Sequence, residues 1–230
     1  MSHPLLRESV DRVKKKKIKN EGRPPQTIHE QPQHQVTAHC GLKKYVIQPK
    51  KISSLISVLL DHLEIGSCEL SVEFVGPRRI RSLNRDFRQK DRSTDVLSFP
   101  QNHWRRPILV SDTPRPTHQM GKLKEVPFIS GPLVLGDLVI SLEDAEKNAK
   151  KIGQGLDREV CFLMVHGILH LCGHDHMIPK EERLMLQQQE RAMEIIKNSI
   201  QWKGVVRKLP SRSSMGKSFV SSKTNFRKRS

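Results

Sequence analysis

Apolar residues in the first half of the chain recur with the periods of a helix and of a strand. Over residues 51–63 they follow helical spacing, and over residues 69–75 they alternate with polar residues. These patterns predict a helix followed by a strand. A second helix is predicted to begin at Pro77, since proline suits the first turn of a helix. Its predicted buried face consists of Ile80, Leu83 and Phe87.

The second half of the chain continues to alternate between strands and helices. In chain order the patterns predict a short strand over 96–99, a strand over 135–141, a polar helix over 143–150, an apolar helix that carries histidines, and a last helix from Pro179 to about Lys197. Few strands interleaved with helices predict the α+β class. We expect a single compact domain in which helices pack on a small mixed sheet.

The segment HGILHLCGHDH, residues 166–176, carries the strongest chemical signal in the chain. His166 and His170 lie four residues apart, so a helix places both imidazoles on one face within reach of one ion. Gly173 is suited to ending that helix and turning His176 back towards the same ion. Three neutral imidazoles without a fourth protein ligand are typical of a catalytic zinc site. The spacing therefore predicts one Zn²⁺ per chain, held by His166, His170 and His176.

The same spacing matches the metzincin protease pattern, H-E-x-x-H-x-x-G-x-x-H, at its three histidines and its glycine. Where that pattern has its glutamate general base, this chain has Gly167, which cannot accept a proton. The residues therefore favour a zinc hydrolase and disfavour a peptidase. His174 is ambiguous, because it is either exposed on the loop or a group that supports the ligands.

The net charge of +17 is concentrated at the two ends of the chain. Residues 1–25 carry eight Lys and Arg against three acids, and residues 203–230 carry nine with no acid. Such segments are typically disordered and bind polyanions, which favours RNA as a partner over a role in solubility alone. We expect basic disordered extensions over 1–40 and 203–230, a domain over 41–202, and within it an irregular proline-rich insertion over 101–133.

The spacing of the cysteines and the hydropathy of the chain indicate the cellular compartment to expect. Cys40, Cys68, Cys161 and Cys172 are widely spaced and form no C-x-x-C pair, so free thiols in a reducing compartment are expected. The sequence lacks the run of about 18 apolar residues that predicts a transmembrane helix, and its N-terminus lacks the apolar core of a signal peptide. We expect a cytoplasmic protein without a membrane partner, although the basic N-terminus leaves organelle import open.

Residues 83–100, LNRDFRQKDRSTDVLSFP, place a charged turn between a predicted helix and a predicted strand. Turns of this kind let catalytic groups project from a rigid scaffold. Arg88 is the candidate catalytic residue, because a guanidinium can grip a phosphate at two points and stabilise its transition-state charge. Most of the neighbouring charged residues are expected to be solvated.

This segment, together with LGDLVIS and HGILHLCGHDH in the same order, resembles the YbeY family of endoribonucleases over about residues 45–198. The resemblance implies a single α+β domain, zinc held by the three histidines, and the family's functionally important arginine at Arg88. It also implies cleavage of single-stranded RNA, maturation of the 3′ end of small-subunit (16S) ribosomal RNA, and ribosome quality control. The implied partners are this RNA and the small ribosomal subunit, with no small-molecule cofactor besides the metal. Both basic tails and the 101–133 insertion depart from the compact family domain.

Two alternatives to this function stay open. A metzincin-like zinc protease is disfavoured by Gly167, and a non-enzymatic ribosome-assembly or RNA-binding factor would use zinc for structure alone. The nucleophile is open as well, since either water activated by the metal or the RNA's own 2′-hydroxyl could attack the phosphate.

Overall fold

The predicted helices and strands are all present, and their ends differ from the predictions by a few residues. The structure is a computed structural model that describes residues 34–112, 132–199 and 202–210. Its helices are α1 (Pro49–His62), α2 (Pro77–Arg88), α3 (Leu142–Lys151), α4 (Leu156–Leu171) and α5 (Pro179–Ser199). Its strands are β1 (Gln35–Cys40), β2 (Tyr45–Ile47), β3 (Cys68–Val75), β4 (Val96–Pro100), β5 (Leu133–Ser141) and β6 (Val206–Lys208). Within the described ranges, no helix combines the length and apolarity that crossing a bilayer requires.

Four of the strands form one mixed sheet in the order β1-β3-β5-β4. β1 and β5 both run parallel to the central strand β3, and β4 pairs antiparallel with β5. β2 and β6 form a separate antiparallel pair. The predicted α+β class with a small mixed sheet is therefore confirmed.

The two faces of the sheet carry cores of very different size. The alternating residues Leu70, Val72 and Phe74 of β3 point into the large core, which also contains the apolar residues of α1, α4 and α5. The other face carries a small cluster around Ile80 of α2 and Val139 of β5. Helix α4 lies at the centre of the large core and packs against β4, β5, α3 and α5. It therefore forms a rigid support for the histidines that it carries.

Helix α2 does not bury the face that the sequence predicts. Ile80 is buried and Leu83 is half-buried, but Phe87 is 64% exposed, so the prediction for Phe87 is wrong. The small cluster on this side of the sheet leaves Phe87 only an edge contact with the ring of Phe99. The buried position one turn after Ile80 is taken by Asn84, whose side chain donates a hydrogen bond of 2.8 Å to the Arg92 carbonyl.

The folded region extends beyond both predicted domain boundaries. Residues 35–40 belong to the predicted N-terminal extension, yet they form β1, and β6 lies within the predicted C-terminal tail. Both predictions of disorder are therefore wrong for these residues. Short strands with few apolar positions have no recognisable local pattern, since β1 forms by pairing with β3 and β6 by pairing with β2. The predicted disorder of residues 1–33 and 211–230 lies outside the described residues.

The first part of the predicted insertion packs closely on the domain. Residues 101–112, here called the strap, contain no helix or strand, as predicted. The Val110 amide donates to Oε1 of Gln188 at 2.7 Å, and the Ser111 amide donates to the His62 carbonyl at 2.8 Å. The strap is thus hydrogen-bonded to α5 and to the end of α1. Residues 113–131 of the insertion lie outside the described residues.

All four cysteines are free, as the sequence predicts. Cys161 and Cys172 are buried in the large core beside apolar side chains. Burial raises the pKa of the Cys161 thiol to about 12, so the group stays protonated and acts as a small core residue.

A polar network on the surface joins the β2–β6 pair to α3. Tyr45 donates a hydrogen bond of 2.8 Å to the Glu146 carboxylate, which also forms ion pairs with Lys150 at 2.8 Å and Lys208 at 2.7 Å. Burial opposes ionisation of Glu146, but these contacts outweigh it and hold the pKa of its carboxyl at about 2.

This network predicts a pH-dependent contribution to stability. Because an exposed glutamate has a pKa of about 4.3, the ionised network stabilises the fold above that pH, and its contribution is lost as the pH falls towards 2. Glu146→Gln is expected to lower the free energy of unfolding by roughly 0.5–1 kcal/mol at pH 7, and by about half as much at pH 3, in urea denaturation. Glu190→Gln, on the exposed surface of α5, is the control and should change little at either pH. If Glu146→Gln lowered the free energy of unfolding equally at pH 7 and pH 3, ionisation of Glu146 would not be the source of this stability.

Candidate metal centre

The end of α4 sets the positions of the histidines. Gly173 follows the helix with a φ of +85°, in the left-handed region that glycine favours. The Gly173 amide donates to the His170 carbonyl and the His174 amide to the Leu169 carbonyl, both at 3.0 Å, which is the Schellman arrangement. The chain therefore turns sharply after His170 and returns past the helix end, as the sequence predicts for Gly173.

The structure brings together the three predicted ligands. His166 and His170 project from α4 and His176 from the loop after it, and one nitrogen of each ring lies within 4.8 Å of the others. Nε2 of His166 and Nε2 of His170 are 3.1 Å apart. Two nitrogens bound at about 2.0–2.1 Å to one tetrahedral Zn²⁺ lie roughly 3.3 Å apart. The spacing of this pair therefore fits two ligands of a single ion.

Hydrogen bonds fix the orientation of both helix histidines. Nδ1 of His166 donates to Oε1 of Gln189 at 3.0 Å, and Nε2 of Gln189 donates to the Phe162 carbonyl, which fixes the amide orientation. Nδ1 of His170 donates to the His174 carbonyl at 2.9 Å. Both Nδ1 atoms therefore carry the proton, and both Nε2 atoms present lone pairs to the same point. Two facing lone pairs repel each other without a cation between them, so these residues fit a metal ion.

The protonation of the candidate ligands suits metal binding. Burial is the main cause that lowers the pKa of both helix histidines. The nearby His166 imidazole lowers the pKa of His170 further, to about 4. Both imidazoles are therefore neutral near pH 7, which is the form that binds a metal.

The position of His174 resolves the ambiguity left by the sequence. His174 is 3% exposed, and its Nε2 donates to the Ile108 carbonyl of the strap at 2.7 Å. Its own carbonyl accepts the proton of His170. His174 thus supports a candidate ligand and is not a ligand itself.

The strap contacts the histidine loop at two further points. Nε1 of Trp104 donates to the Leu171 carbonyl at 2.7 Å, and the Ile108 amide donates to the Cys172 carbonyl at 3.0 Å. The Trp104 side chain lies against Gly173, where an added Cβ would lie 3.1 Å from Cδ1 of the ring. The strap therefore holds the end of α4 and the loop that carries His176.

Arg88 lies in the same cleft as the candidate ligands. The cleft has a volume of about 720 Å³ and is lined by His166, His170 and His176 as well as by Arg88, Lys90 and Arg92. One Nη of Arg88 donates to the Ser98 carbonyl of β4 at 2.9 Å. That bond orients the guanidinium and leaves its other N–H groups available to an anion. These three cations outnumber the two carboxylates of the described lining, Asp95 and Asp175, so the cleft is cationic beside the candidate metal centre.

Close packing explains why residue 167 is glycine. A Cβ added at Gly167 would lie 2.6 Å from Cδ2 of Leu138 and 3.1 Å from Oγ of Ser98. Helix α4 therefore approaches β4 and β5 too closely for a larger residue. A glutamate, which the metzincin mechanism needs at this position, does not fit there.

Sequence reasoning missed several residues that build the site. Gln189 and Trp104 belong to a glutamine-rich helix and to the strap, and neither has a local pattern that marks it as functional. Gln189 is 3% exposed, and burial of a glutamine in a polar helix is visible only in three dimensions.

A centre of three histidines beside a cationic cleft is consistent with a metal-dependent hydrolase that acts on phosphate esters. The family model described as "Endoribonuclease YbeY" matches residues 39–197. The chain belongs to the YbeY family. The family and the enzyme class predicted from the sequence are therefore confirmed.

Relatives in two bacterial genera carry the same description. "Endoribonuclease YbeY" of Clostridium botulinum is 36% identical over 144 residues, which are 62% of this chain and 84% of the relative. "Endoribonuclease YbeY" of Bacillus cereus is 39% identical over 136 residues, 59% of this chain and 76% of the relative. The solution structure of a Thermotoga maritima protein is similar with a TM-score of 0.44 and 23% identity, covering 72% of this chain and 90% of that chain.

The hydrogen bond from His166 to Gln189 gives a prediction for metal affinity. Gln189→Leu removes the acceptor that fixes the His166 tautomer, so the affinity for Zn²⁺ should fall roughly 10–100-fold. A chromophoric chelator in competition with the protein measures this change. Gln187→Leu, on the exposed side of α5, is the matched control and should bind Zn²⁺ like the unchanged protein. Equal affinity in the two variants would show that Gln189 does not orient the ligand.

Proposed function

We propose that this protein is a zinc-dependent endoribonuclease that cleaves single-stranded RNA. The observation that carries the proposal is the pair of Nε2 lone pairs on His166 and His170, which face one another in a cleft that also holds Arg88. Three imidazoles with an open position suit Zn²⁺, and the family description names ribonuclease activity.

The charge of the cleft supports a nucleic acid as substrate. Arg88, Lys90 and Arg92 line it, and Arg78 and Arg79 are exposed on α2, the helix that ends at Arg88. Cations that line the cleft and lie on α2 attract the phosphates of a nucleic acid backbone.

The shape of the cleft favours a single strand. The rings of His166 and His170 are only partly exposed, so a scissile phosphate has to enter the cleft to reach them. A single strand can bend into such a cleft and turn its bases outwards, whereas the backbone of a duplex is held on a rigid helix.

The roles of the residues follow from their positions. A Zn²⁺ ion bound to the three histidines would supply Lewis acidity to a phosphoryl oxygen. Arg88, already oriented by the Ser98 carbonyl, would bind the non-bridging oxygens and stabilise the charge that builds on them. The hydrogen bonds to Gln189 and to the His174 carbonyl keep the proton of each helix imidazole on Nδ1, which leaves Nε2 free to bind a metal ion.

We place this activity in maturation of the 3′ end of small-subunit (16S) ribosomal RNA and in ribosome quality control, with the small ribosomal subunit as partner. Membership of the YbeY family supports this role. The basic ends of the sequence support it through their attraction to RNA. Four free cysteines are consistent with the reducing cytoplasm, which is the compartment we propose.

Substitution of Arg88 tests the enzymatic role. Arg88→Ala should lower the rate of cleavage of an unstructured RNA by roughly 100- to 1,000-fold, because it removes a preorganised charge from the transition state. Thermal stability and zinc content should stay unchanged. Gel analysis of end-labelled RNA measures the rate, and mapping of the ribosomal RNA 3′ end checks the role in cells.

Arg85→Ala is the matched control, since Arg85 lies on α2 outside the cleft lining and pairs with Asp86. It should cleave RNA like the unchanged protein. If the zinc-loaded protein shows no ribonuclease activity and Arg88→Ala still supports ribosome maturation, the chain is a non-enzymatic assembly factor.

A further inference from the structure

A second, smaller pocket borders the candidate metal centre. It has a volume of about 270 Å³ and shares Asp95, Val96, His166 and His176 with the cationic cleft. The rest of its wall is mainly apolar and includes Phe162, Leu163, Met185 and Leu186. Among the described residues that line this pocket, none is Lys or Arg. We call it the Phe162 pocket.

Phe162 is exposed where burial would be expected. It lies on α4, whose other large apolar residues are almost all buried, yet it is 39% exposed, and Leu186 across the pocket is 54% exposed. The Phe162 ring is tilted only 18° from the His166 imidazole, with centroids 6.2 Å apart, and the His166 and His176 rings differ by 30°. Phe162 thus adds to the pocket wall an exposed aromatic ring that is nearly parallel to a candidate ligand ring.

The chemistry of the pocket favours a base over a phosphate. Away from the histidines, the described residues of its wall are largely apolar, without Lys or Arg and with the carboxylates of Asp95 and Glu182, which disfavours a phosphate, whereas a nucleobase can bury its flat face on an aromatic ring. The volume lies below the roughly 300–1,000 Å³ of pockets for drug-sized ligands, so it suits one ring system. Since the pocket and the cleft meet at His166 and His176, a base within it belongs to a nucleotide next to the scissile phosphate.

Acidic groups at the pocket give a preference among the bases. Glu182 lines the pocket, and its carboxylate can only accept hydrogen bonds. Both oxygens of Asp95 already accept hydrogen bonds, from the Val96 amide and from Asn148, so they add negative charge without adding a donor. Carboxylates accept from the exocyclic amine of adenine, cytosine or guanine, whereas uracil has no such amine and its O4 atom is repelled.

We propose that the Phe162 pocket holds one unstacked nucleobase beside the scissile phosphate and prefers bases with an exocyclic amine, namely adenine, cytosine and guanine, to uracil. The proposal rests on the proposed function, because it takes RNA to be bound at the candidate metal centre. Phe162 is on this account a specificity-determining residue that stacks on the base and takes no part in bond cleavage.

Cleavage of a randomised single-stranded RNA pool tests the preference. Sequencing of the new ends should show uracil depleted relative to adenine, cytosine and guanine at one position next to the cut. Phe162→Leu keeps an apolar side chain but removes the ring, so it should abolish the depletion and raise KM about 10-fold with little change in kcat. Phe162→Tyr keeps the ring and should restore both. Phe87→Leu removes another exposed ring, which lies outside the pocket, and is the matched control.

A binding measurement separates this proposal from the proposed function. In the Arg88→Ala background, a single-stranded RNA with one 2-aminopurine should lose fluorescence on binding to the zinc-loaded protein, because stacking quenches this base. Addition of Phe162→Leu should remove the quenching, and zinc content should not change.

The possible outcomes distinguish the two claims. If Phe162→Leu cleaves RNA with the same base pattern as the unchanged protein, the pocket proposal is overturned and the proposed function stands. If no variant cleaves RNA but quenching still depends on Phe162, the pocket binds a base and the proposed function fails. Equal quenching with and without Phe162 overturns the pocket proposal in either case.

Discussion

The two lone pairs that His166 and His170 direct at each other are the interaction on which the site depends. Their Nε2 atoms are 3.1 Å apart, and each ring is held by a hydrogen bond from Nδ1 that prevents it from placing a proton between them. This arrangement is unfavourable unless a cation occupies the point between the rings. The packing of α4 against α5 and the loop after α4 therefore orient the two histidines for one metal ion.

The rest of the domain maintains that arrangement. Helix α4 is buried on most of its surface and lies so close to the sheet that residue 167 has no room for a side chain. The strap holds the end of α4 through Trp104 and His174, and the Ser98 carbonyl orients Arg88 towards the same cleft. Because interiors of this density resist small displacements, the histidines and the guanidinium keep fixed relative positions.

The sequence predicted the parts of the site that have local signals and missed those that arise from tertiary packing. Helical spacing identified His166 and His170, and the need for a left-handed turn identified Gly173. Gln189 has no such signal, since its role appears only when α5 packs beside α4. The prediction of disorder for β1 is wrong for the same reason. A short edge strand forms through pairing with its neighbour, which its own sequence pattern does not reveal.

Titration of the metal-stripped protein with Zn²⁺, while the cleavage rate of a single-stranded RNA is followed, tests the central claim most directly. We predict a rate that starts near zero, rises in proportion to the zinc added, and levels off at one ion per chain, since one set of three histidines is described. Full cleavage by the stripped protein would contradict the account, and so would tight binding of one zinc ion without any gain in cleavage.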